Sequence, residues 1–138
     1  MYLLSFLAIT TIAFCSCKKE DNIVIDQNKT IALGNCAFVT AFETPMICFD
    51  SLITDSRCPV NAVCIWEGYA AVKLSVVIHT GTVQGITLST LKDATTSIPP
   101  NETVIDGYHI KLLDVTPYPL AGSSVPGERK VLLEIKKG

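Results

Sequence analysis

The densest group of residues able to do chemistry lies between positions 55 and 68, Asp55-Ser56-Arg57-Cys58-Pro59-Val60-Asn61-Ala62-Val63-Cys64-Ile65-Trp66-Glu67-Gly68. It holds two cysteines, the only tryptophan and one of two arginines. Paired thiols in a short interval can hold a metal, act in redox exchange or close a disulfide. Zinc sites favour closer thiolate pairs such as C-x2-C, and no such pair occurs in the chain. The remaining choice depends on the compartment, and the first residues of the chain bear on that.

Other reactive side chains do not converge. His79 and His109 fall on segments with strand periodicity, opposite the apolar face, where they should meet solvent. The serines lie in no nucleophile-elbow pattern, since Gly81-Thr82-Val83-Gln84-Gly85 has neither Ser nor Cys at its centre. Acidic residues are dispersed, with no close pair suited to glycoside cleavage and no calcium loop of alternating carboxylates. A soft-metal set of Met46, His79 and His109 needs the fold to assemble it. The sequence therefore predicts no catalytic residue, no metal ligand set and no cofactor site. Net charge is −2 with scattered basic residues, which excludes a nucleic-acid footprint.

Tyr2 to Phe14 is apolar apart from a few Ser and Thr, and no Lys or Arg precedes Lys18. The run is short for a membrane span, which needs roughly 20 apolar residues. It has the length of a signal-peptide core followed by a small-residue cleavage region. We expect residues 1–16 to be a signal segment and the mature chain to begin at Cys17. An exported chain meets oxidising conditions, where an even cysteine count favours disulfides. Cys36, Cys48, Cys58 and Cys64 then remain, and four cysteines allow three connectivities. The short Cys58–Cys64 interval favours that pair, leaving Cys36–Cys48 by elimination.

Phe14-Cys15-Ser16-Cys17-Lys18-Lys19-Glu20-Asp21 resembles the lipoprotein processing sites of Bacteroidota. There a small residue precedes the cysteine that takes lipid, a role that falls here to Cys17. Lys19-Glu20-Asp21 is similar to the export tag of surface lipoproteins. The resemblance implies a lipid-anchored protein of the outer membrane, periplasmic or surface-exposed. The segment from Asp55 to Gly68 is similar to a D-S-R-C-P…C-x-W-x-G signature of uncharacterised secreted lipoproteins from the same group. Glu67 stands where that pattern has a small residue. Leu113-Asp114-Val115-Thr116-Pro117-Tyr118-Pro119 is similar to the family's closing part. The likeness spans about Leu33 to Ile135 and implies no particular activity.

The elements that must position these residues read as strands. Ala70 to His79 alternates, with Ala70, Val72, Leu74, Val76 and Ile78 on one face. Thr80-Gly81 supplies a turn into a partner over Thr82 to Leu91, where Gly85 suggests a bulge or the close approach of another backbone. Tyr108 to Val115 follows the turn signal Asp106-Gly107. Arg129 to Lys136 alternates through Val131, Leu133 and Ile135. Cys36 to Ala41 and Met46 to Ile53 read as a first hairpin around Glu43-Thr44-Pro45. Prolines mark loops at Ile98-Pro99-Pro100-Asn101 and Pro117-Tyr118-Pro119.

No segment has helical spacing with caps. Seven or so short strands predict an all-β domain over 31–138: a small immunoglobulin-like β-sandwich or, alternatively, a small β-barrel. Residues 17–30 are polar and read as the lipidated cysteine and a flexible tether. The function expected is non-enzymatic binding at the envelope through a disulfide-closed loop, with Arg57, Val60, Asn61, Ala62, Val63 and Trp66 as candidate contacts. The partners are the membrane, through the anchor, and a protein or glycan. A protease-inhibitor-like loop and a structural envelope protein without a ligand are the competing readings. In the structural case Trp66 packs on the disulfide and Arg57 pairs with Asp55 or another carboxylate.

Overall fold

A computed structural model describes residues 26–40, 43–93, 95–124 and 127–138. The expected signal segment 1–16, Cys17 as the expected lipid-bearing residue and the expected tether up to residue 25 lie outside the described residues, as do residues 41–42.

Eight strands run in chain order: β1 (Asp26–Ala32), β2 (Cys36–Thr40), β3 (Glu43–Asp55), β4 (Ala70–Val77), β5 (Val83–Ser89), β6 (Glu102–Ile105), β7 (Tyr108–Thr116) and β8 (Lys130–Lys137). They form two four-stranded antiparallel sheets ordered β1-β8-β7-β6 and β2-β3-β4-β5. The molecule is thus an all-β sandwich, and no barrel closes. Consecutive strands pair within each sheet, and β8 returns to lie beside β1. This is a meander, without the Greek-key crossing that links strands in immunoglobulin domains.

Period-two alternation builds the core. Val131, Leu133 and Ile135 of β8 are fully buried, while Lys130 is exposed. Val72, Leu74 and Val76 of β4, Ile110, Leu112 and Val115 of β7, and Ile47 and Phe49 of β3 join in one buried core cluster. In β7 strict alternation from Leu112 would send Asp114 inward. A register shift between Leu112 and Asp114 prevents this. It turns Leu113 and Asp114 outward and restores burial at Val115.

The hairpin from Ile105 to Tyr108 has a two-residue turn, with φ of 51° at Asp106 and 76° at Gly107. Both positive values match the hairpin turn that Asp-Gly favours. Both expected disulfides are present. Cys36 and Cys48 are direct partners across β2 and β3, and Cys58 joins Cys64.

Three expectations need correction. The tether does not extend to Thr30: β1 starts at Asp26 and pairs with β8 in unbroken register to Ala32. Its composition is polar because it is an edge strand that buries only Ile31 deeply, and backbone pairing needs no apolar side chains. Residues 26–30 therefore belong to the β domain and not to the tether. The strand β6 was not foreseen either, since four residues are too few to display alternation. Finally, Gly85 sits in a regular ladder opposite Ser75, with no bulge and nothing within 4 Å of where a Cβ would stand.

The two sheets are stapled by Asn101, which lies in the crossover from β5 to β6. Its buried amide donates to Ser89 O at 2.9 Å in one sheet and to Leu112 O at 2.8 Å in the other. Asn101→Ala leaves both carbonyls without that donor. We expect a loss of about 1–3 kcal/mol of stability, read from the urea midpoint. An unchanged midpoint would refute the staple.

Candidate functional site

The signature segment forms the long connection between β3 and β4. Its base continues the ladder: Ser56 N–H donates to Tyr69 O at 2.9 Å, and Cys58 N–H to Glu67 O at 2.8 Å. Gly68 makes this approach possible. Its φ is +66°, and a Cβ there would stand 1.9 Å from Ser56 O. No side chain fits at that distance, and left-handed φ is itself unfavourable for other residues. The glycine of the signature thus has a packing cause.

Arg57 points inward from this base and is only 5% exposed. Its Nε and Nη2 donate to the two oxygens of Asp55 at 2.8 and 2.9 Å, a bidentate pair. Its Nη1 reaches Asp114 Oδ1 at 3.1 Å and Val115 O at 2.5 Å. The guanidinium carbon lies 4.0 Å from the centre of the Tyr118 ring, in stacking range. Arg129 adds a second cation, donating to Asp55 Oδ2 at 3.0 Å and to Pro117 O at 2.8 Å. Burial pushes the Asp55 carboxyl up. The hydrogen bonds and charge of Arg57, with the charge of Arg129, more than offset this and hold it below its ordinary value. Burial likewise works against the Arg57 cation, and its pairing with Asp55 outweighs that.

Above the base the chain is closed by the Cys58–Cys64 disulfide. Ala62 N–H donates to Pro59 O at 3.0 Å, forming a turn. The loop also leans on the segment after β7. Val60 N–H donates to Pro119 O at 3.2 Å, and Ala121 N–H donates to the Asn61 side-chain oxygen at 2.8 Å. Beyond these anchors the surface is apolar: Val60 and Trp66 are well exposed, and Val63 and Ile65 fully so. A cleft of about 550 Å³ lies beside the base, lined in part by Arg57, Glu67, Leu91, Leu113, Asp114 and Tyr118.

The chain matches no family model, no curated protein and no solved structure. The site must therefore be read from its own geometry.

That geometry divides the expected contacts. Val60, Ala62, Val63 and Trp66 face solvent. Arg57 does not: it is a buried support whose donors are bonded to Asp55, Asp114 and Val115. Asn61 spends its amide on Ala121. More than half of Trp66 is exposed. Ile65 was missed, although its place between Cys64 and Trp66, outside any alternating run, was a usable sign. Asp114, Tyr118 and Arg129 were also missed as partners of Arg57 and Asp55. They are distant in sequence, and only the likeness of the Leu113–Pro119 segment to the family pattern hinted at the first two. His79 contacts Thr44 Oγ1 at 3.2 Å through Nδ1, His109 is exposed opposite Lys136, and Met46 pairs with Val77. Among the described residues no three His, Cys, Asp or Glu side chains are grouped to hold a metal.

Two outcomes follow from this base. Gly68→Ala must displace Ser56 and strain the backbone, with a penalty of at least about 1–3 kcal/mol; wild-type thermal stability in this variant would contradict the close approach. Because the folded Asp55 pKa is depressed, its contribution is complete above its unfolded value and is lost as pH falls through the folded one. The ¹³C resonance of its carboxyl should titrate with a midpoint below 3.8, and a midpoint above that value would contradict the pairing.

Proposed function

We propose that this chain is a lipid-anchored, non-enzymatic binding domain of the bacterial envelope that docks a protein partner through the Cys58–Cys64 loop. The observation that carries the reading is the full exposure of Val63 and Ile65 beside Trp66 on a covalently closed, internally braced loop. Scattered apolar residues on a surface need no explanation, whereas a contiguous apolar group points to an interaction site. A rigid loop loses little freedom on docking, so more of its contact energy appears as affinity. Trp is also prominent among residues that dominate binding energy. Two branched aliphatic side chains beside the ring suit an apolar protein pocket better than a sugar, so a glycan is the less favoured ligand. A protease-inhibitor-like use of the same loop is a special case of this reading.

The direction of the loop supports a partner away from the anchoring membrane. β1 starts at Asp26, opposite Lys136, and ends at Ala32, opposite Lys130. Leu33 then bonds to Arg129, whose side chain reaches Asp55 at the loop base. The chain thus enters at one end of the sandwich and the loop leaves from the other, roughly 20 Å away for seven extended residues. A tether ending at Cys17, as the resemblance to Bacteroidota lipoproteins implies, would leave the tip facing outward. The outer membrane location, on its periplasmic or outer side, belongs to the same proposal.

The test uses the full chain in a bacterial host, with a photo-reactive residue at position 62. A single recurrent protein adduct is expected. It should disappear in Val63→Asp/Ile65→Asp, while protease resistance of the domain stays unchanged. No adduct, or the same adduct in the variant, would overturn the loop reading. Cys17→Ala should move the protein out of the membrane fraction; retention there would overturn the anchor.

A further inference from the structure

We propose that the free edge of β5 is a self-association site at which a second copy of this chain pairs antiparallel about Gly85. Exposed strand edges invite pairing, and proteins ordinarily blunt them with charge, bulges or shortness. Three of the four edges here are blunted. β1 carries Lys29; β2 has five residues and a register shift; β6 has four residues and Glu102. β5 reads Val83-Gln84-Gly85-Ile86-Thr87-Leu88-Ser89, with no charge, no proline and an unbroken register against β4.

The backbone of β5 fixes what can pair there. Thr90 N–H donates to Ala70 O at 2.9 Å, and Ile78 N–H to Thr82 O at 3.0 Å. Hydrogen-bonded pairs alternate along an antiparallel ladder. Gln84, Ile86 and Leu88 therefore bond towards β4, while Val83, Gly85, Thr87 and Ser89 turn their groups outward. Ser89 is satisfied: its N–H donates to Pro100 O at 2.8 Å, and its carbonyl accepts from Asn101 at 2.9 Å. The N–H and C=O of Val83, Gly85 and Thr87 face a side where no strand pairs among the described residues.

These three residues are self-complementary. A two-fold axis at Gly85 sets Gly85 against Gly85 of the second copy, and Val83 against Thr87 in both directions. All outward groups of the three then find partners, two β-branched side chains meet on each side of the axis, and no like charges are opposed. It also gives Gly85 a purpose. Glycine weakens a strand and commonly marks the close approach of another backbone. Among the described residues nothing lies within 4 Å of where its Cβ would stand, and its φ is not positive. A contact of this size is expected to be weak and reversible, below the area of stable dimers.

The full chain with Gly85→Cys, exported in a bacterial host, tests this. Directly opposed residues in a hydrogen-bonded pair are about 5.5 Å apart at Cα, within disulfide range. A disulfide-linked dimer should dominate on non-reducing electrophoresis. The parent chain and Lys92→Cys, exposed but outside β5, should give only traces. Val83→Cys and Thr87→Cys should link when co-expressed and not singly. Adding Thr87→Pro to Gly85→Cys removes an outward N–H only, and it should abolish the dimer while protease resistance persists. Four results would each overturn the proposal: no linked dimer in Gly85→Cys, equal linking in Lys92→Cys, a dimer that survives the added Thr87→Pro, or an adduct with a different protein.

Discussion

The bidentate pair between Arg57 and Asp55 is the constraint on which the far end of the molecule depends. Both side chains are almost wholly buried. A buried charge deprived of its partner destabilises by several kcal/mol, so each member fixes the other. From that pair, bonds extend to Asp114 and Val115 of β7, to the Tyr118 ring, and through Arg129 to Pro117. The connection between β3 and β4 is thereby joined to the opposite sheet. The bulge in β7 matters for the same reason, because it turns Asp114 away from the core and towards Arg57.

With its base held this way, the loop can carry apolar residues in water without collapsing onto the core. The disulfide limits its conformations, and contacts to Pro119 and Ala121 brace one flank. The structural role and the proposed recognition role, which looked like rivals, occupy different levels of one segment. Asp55, Arg57 and Gly68 build the base, and Val63, Ile65 and Trp66 form the exposed end. The β5 edge is a separate surface, defined by backbone groups instead of side chains. A molecule with both could bind a partner at its tip while associating sideways with its own kind.

Strands with strict alternation, such as Ala70–Val77 and Lys130–Lys137, were legible because half-buried sheets impose period two on side chains. Tyr108–Thr116 was legible in extent but not in phase, since the bulge after Leu112 breaks the period. β1 was hidden because an edge strand need not be apolar, and β6 because it is too short to show a pattern. In the signature segment the residue types were visible, yet their division into buried and exposed was not. Arg57 looked like a contact because arginines usually are exposed. Ile65 was overlooked beside the more conspicuous Trp66.

By itself the sequence determined the all-β class, the main strands and the Asp-Gly hairpin, and it favoured the two disulfide pairs that the structure shows. Periodicity, turn chemistry and cysteine spacing are local properties, written directly in neighbouring residues. Only the tertiary structure decided that the sandwich is a meander, that β1 begins at Asp26 and that Arg57 is buried. It alone gave Gly68 its close neighbour and left Gly85 with none among the described residues. These facts depend on residues from distant strands meeting across the sandwich, and no local pattern encodes which of them will meet.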